Sequence, residues 1–167
     1  ATCGLAVLAG QQALITTIGD VRVIVVRKDG TLKMSTQDHH PYDRTEFERI
    51  KEHGGFVQNG HTYGVISASR AVGDFNIPGI TPTADIQLVD FDDSDKYLIV
   101  ASDGVFNVLS NEQVCEIAKN SSSAAEAAYD IRNVAYTNYS SDNISVVVVD
   151  LDLRIHSLYQ RLVHSAV

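Results

Sequence analysis

Four short β-branched runs fill most of the first 36 residues, and glycine-bearing turns separate them. They run from Thr2 to Ala9, Ala13 to Ile18, Val21 to Arg27 and Thr31 to Thr36. Between them lie Gly10-Gln11-Gln12, Gly19-Asp20 and Lys28-Asp29-Gly30. Connections this short return the chain antiparallel, because a parallel pairing needs a crossover of roughly a dozen residues. Asp29-Gly30 also supplies the positive φ that a tight hairpin requires. The opening therefore predicts a β meander.

Helical spacing begins only after Pro41. Asp43-Arg44-Thr45-Glu46 reads as a capping box, with Phe47 and Ile50 as the apolar stripe and Gly54-Gly55 as the stop. Ser110 and Gln113 form a second box, ahead of a helix that carries Val114, Ile117 and Ala118 on one face. A third helix is expected from Ser123 to about Tyr136, with Ala127, Ile131 and Val134 as its stripe. Further strands are expected from Asp85 to Asp90, from Tyr97 to Ser102 and from Ile144 to Asp150. The last shows so little alternation that burial on both faces is expected. Residues 56–82 are glycine-rich and irregular, with a strand expected from Tyr63 to Ser67, and Leu153 to Val163 reads as a short terminal helix. Antiparallel strands with a few separate helices predict an α+β fold, a β-sandwich flanked by helices.

A chain of 167 residues is long enough for one domain with a core of its own. Its formal net charge of −8 argues against a nucleic-acid partner, which needs a basic face. No apolar run approaches the roughly 18 residues of a membrane span, so no membrane association is expected. Cys3 and Cys115 form no zinc-binding pair, and a reducing compartment, cytoplasmic or nuclear, is expected. Ala1 enters a strand at once, as in a piece cut from a longer protein or at an exposed mature terminus.

Three aspartates share one context. Asp20 follows a strand through Gly19, Asp103 follows the greasy run Tyr97 to Ser102, and Asp142 precedes the strand at Ile144. Each could be a turn residue. If the strands lie in packed sheets, the three could instead meet at one rim, where like charges repel unless a cation holds them. An all-oxygen ligand set suits Mg²⁺ or Mn²⁺ rather than zinc.

Several segments then resemble a known family. In order they are Gly19-Asp20-Val21-Arg22, Gln37-Asp38-His39, Gly54-Gly55-Phe56-Val57, Ser69-Arg70-Ala71-Val72-Gly73-Asp74, Val100-Ala101-Ser102-Asp103-Gly104 and Ser141-Asp142-Asn143-Ile144-Ser145-Val146-Val147-Val148. Together they resemble the metal-dependent protein serine/threonine phosphatases of type 2C, from Ala1 to about Leu151, with residues 152–167 left as a tail. The resemblance implies a four-layer α-β-β-α sandwich and dephosphorylation of phosphoserine and phosphothreonine in proteins by a metal-activated water. It matches Asp103 and Asp142 to ligands of a binuclear Mg²⁺ or Mn²⁺ centre, and Asp20 to a third, weaker metal. It makes residues 61–82 the flap beside the cleft, with His61, Arg70 and Asp74 in the substrate region. Arg70 is expected to brace the flap against Asp74 or to reach substrate, with bracing preferred. Arg22 is expected to neutralise Asp20.

There are also departures. The family's Asp-Gly-His-Gly stretch, its acid histidine and its phosphate-binding arginine have no match here, Asn107 stands where many members carry an aspartate, and Val21 replaces a serine. The chain therefore reads as a catalytic domain incomplete at its N-terminal side, inactive by itself and completed by a second chain or segment. A pseudophosphatase that serves as a binding or scaffold module is the alternative. The remaining polar candidates have structural expectations. His39 and His40 are read as structural or solvated, His53 as favouring a helix end, Cys115 as a buried thiol, and Asp90 to Asp95 as a solvated loop.

Overall fold

Val23, Ile24, Val25 and Val26 are all fully buried, so the strand that carries them faces apolar surroundings on both sides. This is the centre of the fold in the computed structural model, which describes residues 1–152. The elements are β1 (Cys3–Ala9), β2 (Gln12–Ile18), β3 (Arg22–Arg27), β4 (Leu32–Ser35), α1 (Arg44–Glu52), β5 (Val57–Gln58), β6 (His61–Thr62), β7 (Asp85–Asp90), β8 (Asp95–Ala101), α2 (Asp103–Phe106), α3 (Asn111–Asn120), α4 (Ala124–Thr137) and β9 (Val146–Asp150).

Two antiparallel sheets stack, one ordered β1-β2-β7 and the other β4-β3-β8-β9. Between them lie Ala13, Ile15, Val23, Val25 and Leu98. On the other face of the larger sheet, Ile24, Val26, Tyr97 and Ile99 meet Val114 and Ala118 of α3 and Ala127 and Ile131 of α4. The period of two in β3 and β8 thus feeds two cores at once. The α+β sandwich is the expected class, and the described residues build three layers of it: sheet, sheet and helices. The opposite face of the smaller sheet leaves Leu5, Val7, Leu14, Ile86 and Leu88 between 45% and 66% exposed. No helix of the described residues is long and apolar enough to cross a membrane.

The Ser110 cap forms as expected, with Ser110 Oγ accepting from the Gln113 N–H and Gln113 Oε1 accepting from the Ser110 N–H. Five expectations need correction. The meander breaks at Gly19-Asp20, where the chain passes from β2 in one sheet to β3 in the other, leaving two separate hairpins. The Asp43 side chain makes no cap bond, and Glu46 turns inward instead of reaching back. No strand runs from Tyr63 to Ser67. The chain forms the small β5–β6 hairpin, because Asn59 (φ 53°) and Gly60 (φ 77°) take the left-handed pair that a tight turn demands. Among the described residues β9 is an edge strand paired only with β8, so Val147 is 59% exposed and the run is not buried on both faces. Asp95 is not solvated. It is fully buried at the start of β8, 2.5 Å from Lys33 Nζ. The helix expected from Leu153 to Val163 lies outside the described residues.

Candidate metal centre

Strand register brings the three aspartates to one edge. Arg22 of β3 pairs with Ala101 of β8, and Ala101 pairs with Val146 of β9. Asp20 lies just before that row, Asp103 just after it, and Asp142 in the loop that enters β9, so all three stand at the same end of adjacent strands. Asp20 is buried, Asp103 half-buried and Asp142 exposed.

Backbone contacts stitch the Asp103 and Asp142 loops together. Ser102 N–H donates to Ser145 O (3.1 Å), Ser102 Oγ donates to Asn143 O (2.9 Å), and Ser145 N–H donates to Ser102 Oγ (3.1 Å). Gly104 is required here, because a Cβ would collide with the Asn143 carbonyl oxygen. Gly104→Ala is expected to cost about 1–3 kcal/mol through overpacking. Urea unfolding measures the cost, and weaker Mn²⁺ binding should accompany it as the Asp142 loop is pushed aside.

The electrostatics follow from this proximity. Burial pushes the Asp103 carboxyl upward, and the neighbouring charges of Asp20 and Asp142 push it further, against a hydrogen bond from Asn107 Nδ2 (3.2 Å). None of the three aspartates is in an ion pair among the described residues. They feel one another's charge, but among the described residues no three acidic, histidine or cysteine side chains converge closely enough to cage a metal. Coulomb repulsion reaches further than a coordination bond of about 2.1 Å. The donor chemistry and charge fit a hard divalent cation that keeps most of its waters.

The sheet edge is flanked by cations that are already committed. Arg22 forms a two-pronged pair with Asp38 (2.9 and 2.8 Å), donates to Asn111 Oδ1 (2.8 Å) and stacks on Phe106. It does not neutralise Asp20, which instead accepts a hydrogen bond from Ser67 Oγ at 3.3 Å. Burial raises the Asp38 carboxyl, but His40 and Arg22 outweigh it and hold it below the usual carboxylate range. Arg70 does not brace Asp74. Its guanidinium is taken by Glu46 and Asp85, so it does not project toward the rim. Asp74 is exposed with a left-handed φ of 57°, and exposed His61 caps its own hairpin through Asn59 O (2.9 Å).

His39 proves structural, with Nδ1 accepting from the Gly19 N–H at 3.0 Å. The His53 ring sits on Arg49 O (2.8 Å) at the end of α1, and Cys115 is buried, its thiol raised to about 11 by desolvation. Sequence reasoning missed Glu46, Asp38 and Asp85 as network members. The i,i+4 spacing from Glu46 to buried Ile50 was the one available sign that Glu46 faces inward. A small polar pocket lies beside this network, lined by Asp38, His39, Glu46, Arg70 and Asp85 among others, and it does not include the three rim aspartates.

The family described as protein phosphatase 2C matches residues 1–144, and the chain belongs to that family. One relative, a probable protein phosphatase 2C 68 of Oryza sativa subsp. japonica, is 36% identical over 90% of this chain and 44% of its own length. Another, an adenylate cyclase of Lachancea kluyveri, is 34% identical over 92% of this chain but only 8% of its own length. Among solved structures, a C. elegans sex-determining protein superposes with a TM-score of 0.75 at 27% identity, covering 85% of this chain and 37% of that one. The chain thus spans less than half the length of these relatives.

Proposed function

We propose that this chain supplies the carboxylate rim of a metal-dependent protein serine/threonine phosphatase. Asp103 and Asp142 hold Mg²⁺ or Mn²⁺ of a binuclear centre, and Asp20 serves a third, weaker position. The observation that carries this reading is the row of three strand-end aspartates at one end of β3, β8 and β9, with Asp103 strained by the charge of the other two.

A bound divalent ion lowers the pKa of coordinated water and offsets charge on phosphoryl oxygens. The chain's own residues prepare for it. Asn107 holds one oxygen of Asp103, and the Ser102–Ser145 stitch ties the loop that bears Asp142 to the Asp103 turn. The substrate is a phosphoserine or phosphothreonine protein. His61 and Asp74 are exposed on the flap where they can meet it, although Asp74 also lies 3.9 Å from the Ala1 ammonium, while Arg70 is held back by carboxylates. The phosphatase unit is read as residues 1–151 with a tail after it, in a reducing compartment that suits free Cys3 and Cys115. The apolar outer face of the β1-β2-β7 sheet is read as covered by a further segment or chain.

The test is release of phosphate from a phosphothreonine peptide by the intact protein with Mn²⁺, expected to vanish with EDTA. Residues 1–167 alone are expected to show no turnover, because the family's Asp-Gly-His-Gly stretch and phosphate-binding arginine have no match in them. EDTA-sensitive turnover by that segment would refute this part.

A second reading is a non-catalytic binding module, favoured by the adenylate cyclase relative, in which the matched region is a small share of a long chain. Phosphopeptide binding without phosphate release by the intact protein would select it.

A further inference from the structure

Glu46 touches none of the three rim aspartates, yet its buried carboxylate gathers donors from segments far apart in sequence. Oε2 accepts from Ser69 Oγ (2.6 Å) and Arg49 Nη2 (2.8 Å), and Oε1 accepts from Arg70 Nη2 (2.6 Å). Burial raises this carboxyl, but Arg70, Ser69 and Arg49 outweigh it and hold it at about 2.

Arg70 carries the contact onward. Its Nη1 donates to Asp85 Oδ1 (2.7 Å) and Thr83 O (3.1 Å). The other Asp85 oxygen lies 3.2 Å from His39 Nε2, close enough for attraction though not aligned as a hydrogen bond. Because His39 Nδ1 accepts the Gly19 N–H, the network assigns the proton of a neutral ring to Nε2, which faces Asp85. His39 is bound to both sides through its backbone as well. Its N–H donates to Gly19 O (3.0 Å), and its carbonyl accepts from Ser69 N–H (2.9 Å). Gly19 (φ 90°) packs on the Arg70 backbone so closely that a Cβ would stand 3.0 Å from Arg70 O.

The circuit runs from α1 to the flap base, to the start of β7, to His39, and back through Gly19 to the flap base. We propose that it is a positioning lock: Glu46 and Arg70 couple the base of the flap to the Gly19–Asp20 turn and so set where Asp20 stands at the rim. The coupling stands on the contacts themselves, and only its consequence for metal rests on the phosphatase reading. Arg70 is suited to this role because its fork meets two carboxylates at once, whereas a lysine ammonium is a single point of charge.

The test uses Arg70→Lys and, separately, Glu46→Gln in the intact protein. Two readouts are taken: amide hydrogen exchange by peptide, and Mn²⁺ affinity by calorimetry. In at least one folded variant, residues 17–22 should exchange about tenfold faster or more, as expected for loss of a charge-assisted bond. Peptides from β3 and β8 should keep their wild-type protection, and Mn²⁺ affinity should fall several-fold. Unchanged exchange at 17–22 in folded variants overturns the lock, and so does equal acceleration throughout β8, which would mean a general loss of stability. If the wild type binds no Mn²⁺ while 17–22 alone loosens, the lock stands and the metal reading falls.

Discussion

Asn in place of Asp103 is expected to lower metal-supported turnover of the intact protein at least about 100-fold, since a ligand that helps offset transition-state charge is worth several kcal/mol. The same substitution should leave the metal-free protein slightly more stable. The net push on the Asp103 carboxyl is upward, from burial first and then from Asp20 and Asp142. Its ionised form is therefore disfavoured by folding, and that penalty is fully present above the folded pKa, shrinks as pH falls below it and is gone below the unfolded value. Asn carries no charge, is close in shape and keeps an oxygen for Asn107. Because the group is half-exposed, the gain is at most about 1 kcal/mol. Thermal melting in EDTA at pH 7 measures the gain, and phosphate release with Mn²⁺ measures the loss. A variant that lost both stability and turnover would point to a packing role for Asp103.

Lys33→Met is expected to destabilise the chain by about 3 kcal/mol, a large effect for one surface-strand lysine. Lys33 Nζ is 2.5 Å from Asp95 Oδ2, and Asp95 is fully buried with its other oxygen lacking a hydrogen-bond partner. Burial lowers the Lys33 ammonium, but the hydrogen bonds and charges of Asp95 and Asp92 outweigh that and raise it. Removing the cation leaves a carboxylate in an apolar core, which costs more than the pair contributes. The double variant Lys33→Met with Asp95→Asn should recover much of the loss, because no unpaired buried charge then remains and Asp92 is exposed to water. Urea midpoints at constant slope distinguish the two cases.

Local patterns were legible where nothing distant competed with them. The β1–β2 and β3–β4 hairpins, the Asp29-Gly30 turn and the Ser110 box depend on neighbours within a few residues and form as read, whereas the meander breaks at Gly19-Asp20, where the chain crosses to the other sheet. The Asp43 box looks the same in sequence but fails, because Glu46 finds two guanidinium groups and a hydroxyl in the interior. Those partners come from Arg49, Ser69 and Arg70, two of them more than 20 residues away, and no spacing announces them. Asp95 was hidden for the same reason, its lysine being 62 residues away. The β5–β6 hairpin is different, since Asn59-Gly60 carried the signal and the surrounding glycines obscured it. At the rim, the alignment of the three aspartates was readable as a possibility from their strand-end contexts. The register that brings them level comes from pairing, which a single sequence does not specify.

Because the three carboxylates flank the ends of β3, β8 and β9, the rim is anchored on the most deeply packed part of the molecule. The strand ends beneath it open only with that ladder, whereas the turn that bears Asp20 and the loop that bears Asp142 can loosen separately. The flap base is pinned by polar contacts to a short helix, so it can breathe well below the global unfolding free energy. The protein thus has a stiff anvil beside a yielding cover, and the yielding half is where change of partner can occur without loss of fold.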